Sequence, residues 1–186
     1  MNRREAVQYI SVLFGGALVG GNAFLSGCNT NTGTSQKFTE DDIAYLGEIA
    51  DTILPETKTP GAKAAMVGPF MTTMVNDCYE EKNQKVFREG MTKLNDFSRK
   101  NYGEPFMKIS AQQRHDLLVQ LDKEQKEYMQ NKKEDEPSHY FRMMKELTLL
   151  GYFTSETGCK EAMRYVESPG KYEGSIPYKK GDKAFA

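Results

Sequence analysis

The chain has 186 residues and a formal net charge of -1, with 38% hydrophobic and 27% charged residues. This length fits one domain with a modest buried core. The nearly neutral charge, without a dense basic cluster, excludes a general electrostatic attraction to nucleic acid.

The first 27 residues have the order of an export signal. Arg3 and Arg4 precede an uncharged run from Ala6 to Leu25, which is the basic and then apolar order of a signal peptide. Paired arginines before a Gly-rich apolar stretch resemble the twin-arginine signal, which directs the export of folded proteins. Ala6 stands where such signals usually carry a large apolar residue, so the twin-arginine route and the Sec route both stay open.

A lipobox follows the apolar run. Leu25, Ser26, Gly27 and Cys28 all fit the bacterial lipobox pattern, and cleavage before Cys28 would make it the lipidated first residue of the mature protein. The alternative is a short transmembrane helix with an incidental cysteine, but the run is short for spanning a bilayer and its glycines weaken a helix. We therefore predict an exported lipoprotein, anchored to a membrane and facing the periplasm or the cell surface.

The pattern divides the chain into three parts. Residues 1–27 are the predicted signal peptide, residues 28–37 the lipidated cysteine with a flexible tether, and residues 38–186 the folded domain. In the last part apolar residues recur with the helical period, and neither an alternating strand pattern nor an Asn-Gly or Asp-Gly turn is present. We predict an all-α domain, a single helical domain of about five to six helices with an extended C-terminal tail.

Two helices and a defined turn begin the domain. Thr39 is the predicted N-cap of the first helix, and Pro55 ends that helix. The loop from Pro55 to Gly61 is bounded by residues that fix or free the backbone angle φ, which predicts a defined turn. A second helix is predicted from Ala62 to Tyr79. Its stripe of residues spaced by four is predicted to face the core: Met66, Phe70, Met74 and Cys78.

Two long helices and two shorter ones complete the prediction. The third helix covers residues 83–102, and a capping box at residues 110–113 opens the fourth. The fifth begins at Pro137 or Ser138, and a short helix capped by its first residue covers residues 155–165. The apolar residues expected inside these helices are Val86, Phe87, Met91, Leu94, Phe97, Leu117, Leu118, Leu121, Tyr128, Phe141, Met144, Leu147 and Leu150.

The chain offers few groups for catalysis. His115 and His139 are its two histidines, and neither has a His or Cys partner at metal-ligand spacing. The mature part has no Gly-rich dinucleotide motif, no phosphate loop and no Gly-x-Ser-x-Gly motif. We therefore predict no catalytic residue, no metal site and no cofactor bound by this chain, with His115 an ordinary surface residue and His139 a first-turn residue.

Two cysteines, Cys78 and Cys159, would remain as thiols after lipidation of Cys28. An oxidising compartment permits a disulfide between them. The alternative is a pair of buried free thiols, since cysteine often serves as a small apolar residue. The sequence leaves both interpretations open.

Two long segments, far apart in the chain, carry a family resemblance. Residues 49–62 read Ile-Ala-Asp-Thr-Ile-Leu-Pro-Glu-Thr-Lys-Thr-Pro-Gly-Ala, and residues 145–156 read Lys-Glu-Leu-Thr-Leu-Leu-Gly-Tyr-Phe-Thr-Ser-Glu. A closing turn, Ser-Pro-Gly-Lys-Tyr-Glu-Gly, follows at residues 168–174. These segments resemble the gluconate 2-dehydrogenase subunit 3 family, the small subunit of membrane-associated, flavin-dependent sugar and polyol dehydrogenases. We call residues 49–62 and 145–156 the two signature segments.

The resemblance implies a helical, non-catalytic subunit that packs on a larger flavoprotein of the glucose-methanol-choline class. FAD would lie in that partner, and a cytochrome subunit would be a further partner. Because a flavoprotein without its own signal would cross the membrane folded, the resemblance gives the twin-arginine pair a purpose. The predicted partner-binding residues lie in the signature segments, although a role in internal architecture is an equal alternative: Pro55, Pro60, Gly61, Gly151, Tyr152 and Phe153.

A different function is also compatible with the sequence. A free-standing surface lipoprotein could act as a carbohydrate-binding module, for which exposed aromatic rings are needed. Tyr165, Tyr172 and Tyr178 near the C-terminus could supply those rings. Burial of these three side chains would remove the support for this alternative.

Overall fold

Residues 37–168 and 170–185 are described by a computed structural model of the chain. Most of them lie in α-helices: α1 (Glu40–Ile53), α2 (Val67–Cys78), α3 (Glu81–Tyr102), α4 (Ala111–Asn131) and α5 (Tyr140–Phe153). A 3-10 turn (Phe106–Lys108) precedes α4, and a π-helix (Gly158–Ala162) follows α5. These two ranges contain no β-strand, which confirms the predicted all-α class.

The predicted helix ends are confirmed where capping residues mark them. The Thr39 hydroxyl accepts a hydrogen bond from the Asp42 N–H (3.2 Å), and the Asp42 carboxylate accepts one from the Thr39 N–H (2.8 Å). Ser110 and Gln113 form the same reciprocal box at the start of α4, at 3.3 and 2.9 Å. Gly103 ends α3 with φ of 77°, a left-handed conformation that glycine adopts without steric cost.

The second helix differs from its prediction in both start and phase. It begins at Val67 because residues 62–66 form turns, and Met66 adopts a left-handed conformation with φ of 55°. The predicted stripe is therefore wrong at its two ends, while its two middle residues pack against the edge of the core. Met66 is 65% exposed and Cys78 is exposed, while Phe70 and Met74 are only half-buried. The residues of α2 that face the core are Val67, Gly68, Met71, Thr72 and Val75.

A pair of glycines sets the phase of α2, because they allow it to lie directly on α1. A Cβ on Gly68 would stand 2.6 Å from the Ile43 carbonyl oxygen and 3.0 Å from the Gly47 nitrogen. Backbone therefore meets backbone at this crossing. A helix rotated to bury Met66 and Phe70 would place larger side chains at that contact and keep the two helices apart.

The central helix of the bundle is α5, which packs against α1, α2, α3 and α4. Its approach to α3 depends on Gly90, where a Cβ would lie 2.3 Å from Cβ of Tyr140. Leu150 was expected to be buried but is 46% exposed, because it lies on the one side of α5 that the other helices leave open. The buried residues of α5 are Tyr140, Phe141, Met143, Met144, Leu147, Thr148, Gly151 and Tyr152.

Most other predicted core residues of α3 and α4 are confirmed. Their buried members are Phe87, Met91, Leu94, Leu117, Leu118 and Leu121. Val86 and Phe97 are half-buried at the edge of the core. Tyr128 is 37% exposed because its hydroxyl reaches outward to the Pro137 carbonyl oxygen, at 3.1 Å.

The short helix that follows α5 ends earlier than predicted. Ser155 acts as a cap, since its Oγ accepts from the Gly158 N–H at 2.9 Å, but the π-helix ends at Ala162 instead of Tyr165. The reason is that the chain end returns here, and the Arg164 N–H donates to the Ala184 carbonyl at 2.7 Å. Between these two positions the described residues are exposed and lack helix, which confirms the extended tail.

Candidate functional site

The first signature segment folds into a compact turn after α1. Pro55 lies just beyond the helix end, and the turn closes where the Ala62 N–H donates to the Leu54 carbonyl, at 2.9 Å. Gly61 is buried at this closure, and a Cβ there would stand 2.6 Å from the Glu56 nitrogen. Only glycine fits without moving the backbone, so the predicted defined turn is confirmed.

The second signature segment lies against this turn. The Tyr152 hydroxyl donates a hydrogen bond to the Pro60 carbonyl oxygen at 2.7 Å, although the two residues are 92 positions apart in the chain. One residue earlier, Gly151 packs on Phe70 so closely that a Cβ would lie 2.6 Å from the ring. The structure therefore brings the two segments together through α5 and the start of α2.

This geometry divides the six predicted partner-binding residues into two groups. Gly61, Gly151 and Tyr152 are buried, and half-buried Pro60 supplies the carbonyl that Tyr152 binds. These four residues hold the junction together, as the architectural alternative expects. Pro55 and Phe153 are the two of the six whose residues are exposed at the surface.

An apolar patch lies beside the junction on the open side of α5. It consists of Leu149, Leu150 and Phe153, which are 39%, 46% and 40% exposed. Their spacing of one, three and four residues places them on one helix face. Sequence reasoning missed Leu149, although two adjacent leucines point about 100° apart on a helix and so seldom both face a core. We call these three residues the α5 patch.

An ionic network braces the other side of the turn. Glu48 on α1 binds the Lys63 ammonium at 2.8 Å and also binds the Arg114 guanidinium on α4. Partial burial raises the pKa of Glu48, but the hydrogen bond from Lys63 and the charge of Arg114 outweigh it and lower that pKa overall. The carboxylate thus stays ionised and links α1 both to α4 and to Lys63, which lies just after the turn.

A small cavity of about 230 Å³ lies between the end of α1, α4 and α5. Asp122 at its edge binds Lys145 at 2.5 Å and Lys126 at 2.6 Å. Partial burial alone would raise the pKa of Asp122, but hydrogen bonds from these two lysines lower it to about 2, so this carboxylate is a fixed anion. The cavity is lined by Thr52, Ile53, His115, Leu118, Val119, Asp122, Phe141 and Lys145.

The two histidines have different surroundings. His115 is exposed at the edge of this cavity, as predicted. His139 is the N-cap of α5 instead of a first-turn residue: its Nδ1 accepts from the Phe141 N–H at 3.2 Å, and only 8% of it is exposed. Burial lowers the pKa of His139 despite Glu124, whose carboxylate lies 3.6 Å from Nε2. A buried neutral imidazole that caps a helix has a structural role.

Cys78 and Cys159 are free thiols, and neither is buried. The Cys78 sulfur lies 3.9 Å from the Met74 sulfur on the same helix, and the Cys159 Sγ lies 3.2 Å from the Phe153 carbonyl oxygen. The possible disulfide between them is therefore not formed in this structure, because each sulfur points to a neighbour in its own part of the chain. The alternative of two buried thiols is also not found.

Several predicted residues lie outside the described ranges. They are Arg3, Arg4, Leu25, Ser26, Gly27 and Cys28.

Among the residues that the structure does describe, no helix has the length and apolar character needed to cross a bilayer. The same residues contain no group of three or more His, Cys, Asp or Glu side chains placed to hold a metal ion.

Comparison with known proteins identifies the family. The family model for gluconate 2-dehydrogenase subunit 3 matches residues 40–170, a span that includes both signature segments and all five α-helices. Searches among curated proteins and among solved structures each found no match. Because the family model covers well over half of the sequence, the chain belongs to the gluconate 2-dehydrogenase subunit 3 family.

Proposed function

We propose that this chain is the accessory small subunit of a FAD-dependent sugar or polyol dehydrogenase of the glucose-methanol-choline type. The observation that carries the proposal is the family match over residues 40–170. The family is described as a subunit of a dehydrogenase, and the chain takes its place beside a catalytic partner. FAD belongs to that partner in this proposal, and a cytochrome subunit is a further member of the complex.

The α5 patch is the proposed contact with the flavoprotein. Its three large apolar side chains are exposed on the one open side of the central helix. Apolar side chains clustered at a surface favour a protein interface. Tyr152 is hydrogen-bonded to the turn at Pro60 and Gly151 packs closely on Phe70, so we expect the partner to meet a preformed surface.

Export and tethering are the second part of the proposal. Arg3 and Arg4 direct a folded complex across the membrane, and Cys28 holds that complex at a membrane facing the periplasm or the cell surface. A lipoprotein cysteine carries more than one acyl chain, and two or more chains give stable anchoring. One small chain would then export, stabilise and tether an enzyme that lacks a signal of its own.

Co-purification tests the subunit role. The native protein, solubilised in mild detergent, is expected to carry a larger protein with the absorbance of bound flavin. In cells without this chain, the flavoprotein should remain in the cytoplasm. Recovery of the chain alone, with flavoprotein export unaffected by its deletion, would contradict the proposal.

A matched pair of variants tests the α5 patch. The L149S/L150S/F153S variant is expected to lose the flavoprotein because it removes the exposed apolar surface. The M107S/V119S control removes exposed apolar side chains elsewhere, since Met107 is 46% and Val119 is 41% exposed, and it should keep the complex. Equal recovery of flavoprotein with both variants would show that the partner binds elsewhere.

Carbohydrate binding is a second candidate, favoured by one observation. The side chains of Tyr165, Tyr172 and Tyr178 are 50%, 95% and 76% exposed, respectively. Exposed aromatic rings can stack on sugar faces. Retention of the purified chain on immobilised polysaccharide, lost in a Y172S/Y178S variant, would support this candidate, while elution in the void volume would remove it.

A further inference from the structure

The chain end forms a loop that is closed at its neck and open everywhere else. The loop runs from Arg164 to Phe185. Its neck is a parallel bridge between these two residues, in which the Arg164 N–H donates to the Ala184 carbonyl at 2.7 Å. The Arg164 guanidinium lies 4.7 Å from the centre of the Phe185 ring, and the Lys183 ammonium binds the Glu161 carbonyl. We call residues 164–185 the C-terminal loop.

All described residues of the C-terminal loop are exposed to solvent, including six large apolar side chains. Ordering such a length of chain costs conformational entropy, and apolar burial normally offsets that cost. Here the fold supplies no such burial. The exposed apolar residues are Tyr165, Val166, Tyr172, Ile176, Tyr178 and Phe185.

The charge of the loop differs in sign from the rest of the chain. Residues 164–185 contain five Lys or Arg and three Asp or Glu, whereas the complete sequence has a net charge of -1. One pair is internal, because Lys171 binds Glu173 at 2.6 Å. Lys179 and Lys180 are adjacent, exposed cations on the turn that the Asp182 carboxylate closes with the Lys179 N–H, at 2.9 Å.

The neck of the loop adjoins the proposed subunit interface. A shallow cavity of about 400 Å³ extends from the residues just after Phe153 to the start of the loop. A protein seated on the α5 patch would therefore meet the loop as well. The cavity is lined by Thr154, Ser155, Glu156, Cys159, Lys160, Tyr165 and Glu167.

We propose that the C-terminal loop closes over an acidic, partly apolar surface of the dehydrogenase's catalytic subunit and adds a second contact to the α5 patch. This inference rests on the proposed function. Tyrosine side chains supply the apolar contact and hydrogen bonds, a composition typical of interface cores. The cations at Lys179 and Lys180 supply the complementary charge, which raises the rate of association with an acidic partner.

A protein surface fits the loop better than a sugar or a lipid bilayer does. Sugar stacking needs rings held in place from behind, but Tyr172 is 95% and Tyr178 is 76% exposed, so the described residues cover little of either ring. Lipid binding by charge needs a cluster of about four to eight basic residues. Acidic residues are interspersed among the cations of this loop. A loop supported only at its neck can adapt its shape to a protein and become ordered there.

Binding of purified subunits tests the inference. The flavoprotein that co-purifies with the wild-type chain is immobilised, and the chain's affinity is measured by interferometry. Y165S/Y172S/Y178S is expected to weaken binding by about tenfold or more, the loss typical of removing interface anchors. K179E/K180E is expected to slow association at low salt and to approach the wild-type rate at high salt, because salt screens exposed charges.

Matched controls separate the loop from general effects. M107S/V119S removes exposed apolar groups outside the loop, and K100E/K123E makes the same charge change at exposed lysines of α3 and α4. Both controls should bind within about twofold of wild type. All variants should unfold at the wild-type urea midpoint, since each changed side chain is exposed.

Three outcomes would overturn the inference in different ways. Loop variants that bind the flavoprotein like wild type would remove the loop contact and leave the subunit role intact. Loss of retention on polysaccharide, or on phosphatidylglycerol vesicles, without loss of flavoprotein affinity would assign the loop to sugar or lipid. Failure of the wild-type chain to bind any flavoprotein would overturn the proposed function itself, and the loop proposal with it.

Discussion

The hydroxyl of Tyr152 makes a hydrogen bond that links the two signature segments. It donates to the Pro60 carbonyl at 2.7 Å, from a side chain that is only 4% exposed. The Phe153 ring stacks edge-on against the Tyr152 ring, with their centres 5.1 Å apart. Gly151, which precedes Tyr152 in the chain, packs against the Phe70 ring. A residue predicted for partner binding is therefore buried at the junction of the two segments, beside the exposed Phe153.

Removing that hydroxyl should cost measurable stability. Y152F deletes the hydrogen bond and leaves the Pro60 carbonyl without it, so the free energy of unfolding in urea should fall by about 1 kcal/mol. Y172F removes a hydroxyl from a ring that is 95% exposed and serves as the control. Equal stability of Y152F and Y172F would mean that the link between the segments contributes nothing to the fold.

We expect His139 to make the free energy of unfolding depend on pH. Its folded-state pKa is lowered from the ordinary value of 6.5, chiefly by burial, with Lys93 adding and Glu124 opposing. Tyr128 and Tyr140 flank the ring at 5.5 and 4.4 Å. A proton on Nδ1 would also destroy the cap on Phe141. Because the unfolded chain binds the proton more readily, stability is fully present above pH 6.5 and falls as pH drops below it, down to the lowered pKa.

Urea unfolding between pH 8 and pH 5 checks this dependence. H139N keeps a side-chain acceptor suited to an N-cap but does not titrate, so its unfolding free energy should fall less steeply below about pH 6.5. H115N, at an exposed histidine, should keep the wild-type slope. A wild-type slope in H139N would assign the pH dependence to other groups.

At the scale of elements, helix α2 shows what periodicity leaves undecided. Its apolar residues occupy two neighbouring stripes, Met66 with Phe70 and Val67 with Met71, and the spacing of four favours each equally. The crossing with α1 decides between them, because Gly68 permits backbone contact only when its own side of α2 faces inward. The sequence pattern predicts the helix, and the neighbouring helix chooses its face.

Two glycines at that crossing should respond to alanine in opposite ways. G68A places a methyl group 2.6 Å from the Ile43 carbonyl, and forcing the helices apart should destabilise the protein by about 1–3 kcal/mol. G47A meets nothing within 4 Å, so the better helix propensity of alanine should stabilise the protein by up to about 1 kcal/mol. Thermal and urea unfolding of the two variants measure the difference. Similar effects of both would contradict the described crossing.

At the scale of the whole molecule, the helical bundle and the proposed anchor are separate predictions with separate tests. The mature protein is expected to lack residues 1–27 and to carry acyl chains on Cys28, which mass spectrometry of the purified native chain detects. C28A should move the protein from the membrane fraction to the soluble fraction, while the far-ultraviolet circular dichroism of its helices stays unchanged. Retention of C28A in the membrane fraction would require another anchor.

The sequence by itself determined the helical class, the caps at Thr39 and Ser110, the stop at Gly103 and the family. Each depends on residues close together in the chain or on a long local motif. Only the tertiary structure decided which side of α2 is buried, that His139 is enclosed, and that Leu149, Leu150 and Phe153 share an open face. These features depend on contacts between residues distant in sequence, such as Tyr152 with Pro60, and local periodicity carries no information about which neighbour covers a face.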